Sequence, residues 1–203
     1  MIDKELDSFL KPVFPEPEER EKFVKTCFKR VKAREMLLRA QLYTELANNQ
    51  KKIGRERPAI QLIFLMALAE GVAKRRTGKS KDPIKDFFEY ISSDDTKILL
   101  NQFKRTLSKP RLRFSSVRRI LYEVRNRAVH GDEFWEFSLV DEAERAEAKM
   151  AGYTSYGRLT FGYLGKRGRK REQPIVLNLT YEELRDIFRR TAIENIKSIL
   201  YYR

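Results

Sequence analysis

The spacing of apolar residues predicts a chain built mostly from helices. Apolar side chains recur every three or four positions from residue 18 to about residue 49, which predicts one long helix or a bent pair. From residue 58 to about residue 76 they leave almost no polar face, so this helix is expected in the middle of a bundle. In the first pattern the inward-facing side is predicted to contain Phe23, Cys27, Val31, Leu38, Leu42 and Leu46.

Two local signals predict further helices. Thr180, followed three residues later by Glu183, has the spacing of a capping box and predicts the start of a last helix. Hydroxyl and acidic residues at 92–95 predict another helix start. The apolar spacing extends that helix to about residue 107, with inward-facing side chains at Ile98, Leu99, Phe103 and Leu107.

The pattern changes after residue 131. Runs 156–164 and 174–179 have the composition of strands, and a basic segment joins them. We therefore predict a mainly α fold, an antiparallel helical bundle with a β-hairpin inserted before the last helix. Residues 1–203 are expected to form a single domain in which residues 133–179 are the insertion that contains the hairpin.

One predicted helix carries the candidate chemistry. It is expected to end at His130, the only histidine of the chain, because Gly131 follows. At about 100° per residue, Asn126 and His130 lie opposite the apolar stripe and Arg125 lies on its flank. Spacing alone favours a structural role, with His130 as a helix cap and Arg125 as an ordinary flank residue. The stripe consists of Val117, Ile120, Leu121, Val124 and Ala128.

The charge of the chain favours a polyanionic partner. Lys and Arg number 43 against 29 Asp and Glu, which gives a formal net charge of +14. This balance favours nucleic acid, although a heat-stable surface rich in both signs of charge would have a similar composition. The candidate RNA-binding cations are Arg111, Arg113, Arg118 and Arg119 near the motif, and Lys166, Arg167, Arg169, Lys170 and Arg171 at the hairpin tip. A solvated loop is the alternative for the tip.

The scarcity of cysteine and histidine limits other chemistry. Cys27 is the only cysteine and cannot form an internal disulfide, which favours a reducing cytoplasm. An ordinary zinc site needs more ligands than one Cys and one His, so no metal and no cofactor are expected. No apolar run is long enough to span a membrane, and no membrane partner is expected. Glu70 either reaches solvent near the end of its apolar helix or supports the site by orienting an arginine of the motif helix.

The residues around the motif are more specific than its spacing. Arg125-Asn126 followed by His130-Gly131, at the end of an amphipathic helix that contains Tyr122-Glu123-Val124, resembles the signature of the HEPN superfamily of small helical nucleases. That signature combines an Arg, an adjacent polar residue and a His some four to six residues further on. The resemblance implies a helical bundle with the motif at the end of its penultimate core helix. It also implies a homodimer that brings two motifs into one cleft.

The chemistry implied by this resemblance is RNA cleavage. The 2′-hydroxyl of RNA is the nucleophile, His130 takes part in proton transfer, and Arg125 stabilises the charge that develops on the phosphate. Asn126 orients the imidazole or hydrogen-bonds the substrate. The expected function is a metal-independent endoribonuclease that acts on single-stranded RNA, in a toxin, antiviral-defence or RNA-processing role.

The expected partners are RNA, a second copy of the chain, and an inhibitor or antitoxin protein. Asp132 departs from the HEPN subgroup paired with nucleotidyltransferase antitoxins, which carries a Tyr two residues after the His, so a partner of that kind is in doubt. Two alternatives stay open. One is a non-catalytic HEPN-like module that binds RNA or protein, and the other is a basic helical DNA-binding regulator.

Overall fold

The computed structural model describes residues 2–53, 58–78, 81–105, 112–130, 137–140, 142–152, 157–164 and 170–201. Over these residues the protein is mainly helical, as predicted, with nine α-helices, one 3-10 turn at Phe88–Tyr90 and three short strands. The helices are α1 (Lys4–Leu10), α2 (Pro17–Phe28), α3 (Val31–Ile53), α4 (Pro58–Thr77), α5 (Pro83–Phe87), α6 (Ser93–Gln102), α7 (Phe114–His130), α8 (Glu142–Met150) and α9 (Tyr181–Tyr201). The strands are β1 (Phe103–Arg105), β2 (Gly157–Leu164) and β3 (Lys170–Leu177). None of the helices in these ranges is both long and apolar enough to cross a lipid bilayer.

The chain packs as two compact units. The first comprises Met1–Ile53, Phe64–Ser92 and Arg185–Arg203, and the second comprises Gly54–Ile63 and Ser93–Leu184. Helices α4 and α9 contribute residues to both units. The single domain with an insertion at 133–179 stays a prediction.

In the first unit, the predicted long helix is a bent pair. Helix α2 ends at Phe28, and α3 begins at Val31 after a break at Lys29 and Arg30. The break changes the rotational phase of the second helix relative to the first. The prediction that Val31, Leu38 and Leu42 face inwards is therefore wrong, because all three are exposed. The buried side of α3 consists instead of Ala33, Met36, Leu37, Ala40, Thr44 and Ala47.

Aromatic and aliphatic side chains fill the core of the first unit. The rings of Phe87, Phe88 and Phe188 lie 5.2 to 5.6 Å apart in tilted and edge-on arrangements. Helix α4 contributes Leu65 and Met66, which are fully buried, in agreement with its nearly continuous apolar sequence. This core is formed by helices from distant parts of the sequence.

In the second unit, the helix predicted to reach residue 107 ends at Gln102. The chain continues as β1, and Phe103 pairs with Leu177 of β3. Leu99 and Phe103 are buried as predicted, but Ile98 is exposed and its predicted inward orientation is wrong. Residues four apart fit both a helix stripe and one face of a strand, and here pairing with β3 decides between them. Leu107 lies outside the described residues.

The three strands form an antiparallel sheet in the order β1-β3-β2. Strands β2 and β3 pair from Gly157 with Leu177 to Leu164 with Lys170, and the connecting residues 165–169 lie outside the described residues. A Cβ at Gly157 would lie 2.2 Å from the backbone oxygen of Ser138, so only glycine fits at the start of β2.

The predicted capping box at the start of α9 is confirmed. The backbone N–H of Glu183 donates to Thr180 Oγ1 at 3.2 Å, and the backbone N–H of Thr180 donates to Glu183 Oε2 at 2.9 Å. Glu183 also accepts a hydrogen bond from Arg145 at 2.9 Å, which joins α8 to the start of α9.

Candidate functional site

Burial fixes the rotational phase of the motif helix α7. The side chains of Val117, Ile120, Leu121 and Val124 are buried, as the apolar stripe predicts, while that of Ala128 is not among the described side chains. Four buried residues with helical spacing define the side of α7 that packs inwards. The motif positions 125 and 126 therefore lie on the flank and on the far side of this helix.

Two motif residues contact each other directly. Arg125 Nη1 donates a hydrogen bond to Asn126 Oδ1 at 2.9 Å, and both side chains are half-buried. The guanidinium carbon of Arg125 also lies 5.9 Å from the ring centroid of Tyr122, one turn earlier on the helix. A guanidinium carries five N–H donors in a planar fork, so this hydrogen bond does not by itself exhaust them. The contacts hold the plane of the guanidinium in a defined orientation.

The motif helix ends where the sequence predicts. His130 is the last residue of α7, four positions and about 6 Å along the axis after Asn126. The side chain of His130 and the residues Gly131 and Asp132 lie outside the described part of the chain. The backbone nevertheless places position 130 at the last position of α7.

The outer side of α7 is partly apolar. Tyr122 and Val129 are 38% and 53% exposed, on either side of Arg125 in the sequence. Apolar side chains of this size at the surface, next to a charged group and an amide, suit contact with another macromolecule. The exposed side of α7 therefore combines apolar and polar groups.

Only part of the predicted set of cations can be located. Arg113 and Arg119 are exposed, and Arg118 is half-buried with its guanidinium 5.7 Å from the ring centroid of Phe114. Three cations thus lie at or before the first turns of α7. Arg111 and the tip residues Lys166, Arg167 and Arg169 lie outside the described residues, as do the side chains of Lys170 and Arg171 at the start of β3.

Glu70 has an ion-pair partner on its own helix. Glu70 Oε2 lies 3.7 Å from Lys74 Nζ, one turn further along α4, and the Glu70 side chain is 17% exposed. The alternative in which Glu70 orients an arginine of the motif helix stays a prediction.

Sequence reasoning missed the pairing of Arg125 with Asn126. It assigned Asn126 to the imidazole or to the substrate, and both of those roles stay predictions. Adjacent positions on a helix do not normally face each other, so the sequence offers no clear signal for this contact. The three-residue spacing between Tyr122 and Arg125 is a signal for the cation–π contact that was available in the sequence.

Cys27 is not a candidate nucleophile. It is fully buried, and this burial raises the pKa of its thiol from the ordinary value of 9.0 to about 12. A thiol that stays protonated at neutral pH is a poor nucleophile and a poor metal ligand. Within the ranges that the structure describes, no group of three or more His, Cys, Asp or Glu residues is arranged to hold a metal ion.

Comparisons with models of protein families, with curated proteins and with solved structures find no match to this chain.

Proposed function

We propose that this protein is an endoribonuclease of the HEPN type that cleaves single-stranded RNA without a metal ion. The observation that supports the proposal is the pairing of Arg125 with Asn126 on α7, one turn before the helix ends at His130. RNA cleavage needs a group that transfers protons and a group that stabilises a charged phosphate. The motif helix offers a residue type for each, namely the histidine at its last position and the arginine held by Asn126. The overall fold that accompanies this proposal is an antiparallel HEPN-like bundle.

The reaction needs a base, an acid and a stabilised phosphorane. The base removes the proton of the 2′-hydroxyl, the resulting oxygen attacks the adjacent phosphorus, and the bond from phosphorus to the 5′-oxygen breaks. The acid returns a proton to the departing oxygen, so the products are a 2′,3′-cyclic phosphate and a 5′-hydroxyl. His130 has the side chain suited to proton transfer near neutral pH. Arg125 is suited to the phosphorane, because its fork binds two oxygens and stays charged.

A second copy of the chain completes the proposed site. One histidine per chain supplies either the base or the acid at a given moment, whereas two chains related by a twofold axis supply both. The exposed Tyr122 and Val129 beside Arg125 are the surface on which we expect the copies to meet. The cations Arg113, Arg118 and Arg119 on the same stretch of chain would then attract the RNA backbone towards the cleft.

Cleavage of labelled single-stranded RNA in EDTA, with identification of the product ends, tests this proposal. His130→Ala and Arg125→Ala are expected to abolish cleavage and to retain the circular dichroism spectrum of the unmutated protein. Arg127→Ala is the matched control, because Arg127 is an exposed arginine of the same helix outside the motif, and it should cut normally. DNA of the same sequence should stay intact, since it lacks the 2′-hydroxyl. Equal cleavage by His130→Ala would assign the activity to a contaminant.

The contact between Arg125 and Asn126 also suits a non-catalytic module, in which it would only stabilise a binding surface. The same assay separates the two functions. RNA that is bound but never cut, with equal affinity for the unmutated protein and His130→Ala, would favour the binding module.

A further inference from the structure

Helix α3 carries a row of exposed aliphatic side chains on the side opposite its buried residues. Val31, Leu38 and Leu42 are 61%, 43% and 51% exposed. At about 100° per residue they fall within about 40° of one line along the helix, and they extend over about 16 Å. Leu38 and Leu42, one turn apart, form an aliphatic patch that water solvates poorly, and Val31 lies on the same line two turns before Leu38, beyond Glu35.

The spacing of the row is that of a coiled-coil seam. Positions 31, 35, 38, 42, 45 and 49 follow each other at alternating intervals of four and three. In its first half the seam is aliphatic at Val31, Leu38 and Leu42 and acidic at Glu35, and in its second half it is polar at Glu45 and Asn49. A partner helix would therefore contact the first half of α3 and would not contact the second half.

The positions that flank the aliphatic half of the seam are basic. They are Lys32, Arg34, Arg39 and Gln41, which include three cations and no carboxylate. Glu35, the one acid within this half, forms an ion pair with Arg75 of α4, so its charge is already compensated. Lys32 Nζ donates to the backbone oxygen of Arg76 at 2.6 Å, which fixes this edge of the row against the end of α4.

The basic flanks indicate which kind of molecule could bind to the row. In a second copy of α3 the flanking positions 32, 34, 39, 41, 46 and 48 contain no carboxylate, so the flanks of two copies would not pair a cation with an acid. RNA would satisfy the cations. It would, however, gain little from aliphatic side chains, since bases bind proteins chiefly by stacking on aromatic ones.

We propose that the row Val31, Leu38 and Leu42 is the docking site for an acidic amphipathic helix of a partner protein. Aliphatic residues of that helix would pack on the row, and its flanking glutamates or aspartates would face Arg34 and Arg39. The proposal does not depend on ribonuclease activity, because it concerns a different helix and a different compact unit.

The test measures binding of a fluorescent helical peptide to the full chain at near-physiological salt. The peptide spans about three heptads, with Leu at the seam positions and Glu at the flanking positions. A matched peptide carries Lys in place of Glu. We expect the acidic peptide to bind and the basic peptide to bind about tenfold more weakly or not at all.

Variants assign the binding to α3. Leu38→Ser combined with Leu42→Ser should weaken binding of the acidic peptide about tenfold or more, since it removes two central anchors. Met150→Ser is the control, because Met150 is 90% exposed on another helix and its loss should not change binding. Arg34→Glu combined with Arg39→Glu should reverse the preference between the two peptides. All these side chains are exposed, and circular dichroism checks that each variant folds.

Three results would overturn the proposal. The first is a failure of the acidic peptide to bind. Equal binding of that peptide by the Leu38→Ser, Leu42→Ser variant counts in the same way, because it would leave only non-specific attraction by charge. The second is a dimer that the same variant dissociates in analytical ultracentrifugation, which would assign the row to a second copy. The third is an RNA affinity that falls in that variant while the acidic peptide does not bind, which would assign the row to nucleic acid.

Discussion

Asn126→Ala tests whether Asn126 acts by positioning Arg125. The hydrogen bond from Arg125 Nη1 to Asn126 Oδ1 is 2.9 Å long and half-buried, and its donor is charged. A hydrogen bond of this kind contributes about 1.5–3 kcal/mol. If that energy orients the guanidinium for the transition state, its loss should lower kcat/KM about tenfold to a hundredfold. The cation–π contact with Tyr122 is weaker, about 0.5–1 kcal/mol, so Tyr122→Leu should lower kcat/KM only a few-fold.

A double-mutant cycle separates positioning from a direct role. In the His130→Ala background RNA is expected to bind without being cut, so affinities are measurable for Arg125→Ala, Asn126→Ala and the double variant. If Asn126 acts through Arg125, adding Asn126→Ala to Arg125→Ala should change the binding free energy by less than about 0.5 kcal/mol. Effects that add fully would refute this reasoning, and so would an Asn126→Ala protein that cuts RNA at the unmutated rate.

Three further predictions concern stability. Thr180→Ala removes the side-chain acceptor of the capping box and should lower the free energy of unfolding by about 1 kcal/mol in urea denaturation, whereas an unchanged midpoint would mean that the cap is dispensable. Gly157→Ala would bring a Cβ to 2.2 Å from the backbone oxygen of Ser138, and this overpacking should cost about 1–3 kcal/mol, read as a lower melting temperature. Burial raises the pKa of Cys27 to about 12 against an ordinary 9.0, so between these pH values the unfolded chain binds fewer protons than the folded one and stability falls as pH rises. A Cys27→Ala protein, compared with the unmutated protein from pH 8.5 upwards, should lack that part of the decline.

The buried side of a helix could be predicted from the sequence where one uninterrupted helix accounts for the whole apolar pattern. Helix α7 has one uninterrupted apolar stripe, and the structure buries four of its members as predicted. In the stretch from residue 18 to 49, two helices with different phases follow each other, and a pattern read as continuous placed Val31, Leu38 and Leu42 on the wrong side. The break at Lys29 and Arg30 carries neither Gly nor Pro, so no local breaker signals it.

Long-range pairing explains the other differences. Strand β1 forms because Phe103 meets Leu177, a residue 74 positions away, and no local pattern contains that information. The capping box of α9 was predictable because its four residues contain the complete hydrogen-bond pattern. For the candidate site, the sequence placed the motif positions on the correct helix. The side-chain pair of Arg125 and Asn126 depends on rotamers that sequence patterns do not specify.

The cations of the protein lie in two different surroundings, so the net charge of +14 does not by itself identify one kind of partner. Arg113, just before α7, and Arg118 and Arg119 in its first turns precede a polar motif, which suits a phosphate backbone. On α3, Arg34 and Arg39 border aliphatic side chains, which suits an acidic helix. If both assignments hold, Arg34→Glu with Arg39→Glu should leave the salt dependence of RNA binding almost unchanged, while Arg113→Glu with Arg119→Glu should reduce its slope by about the number of lost phosphate contacts. An equal effect of the two pairs would mean that the surface binds polyanions through net charge alone, and that α3 offers no separate protein-binding face.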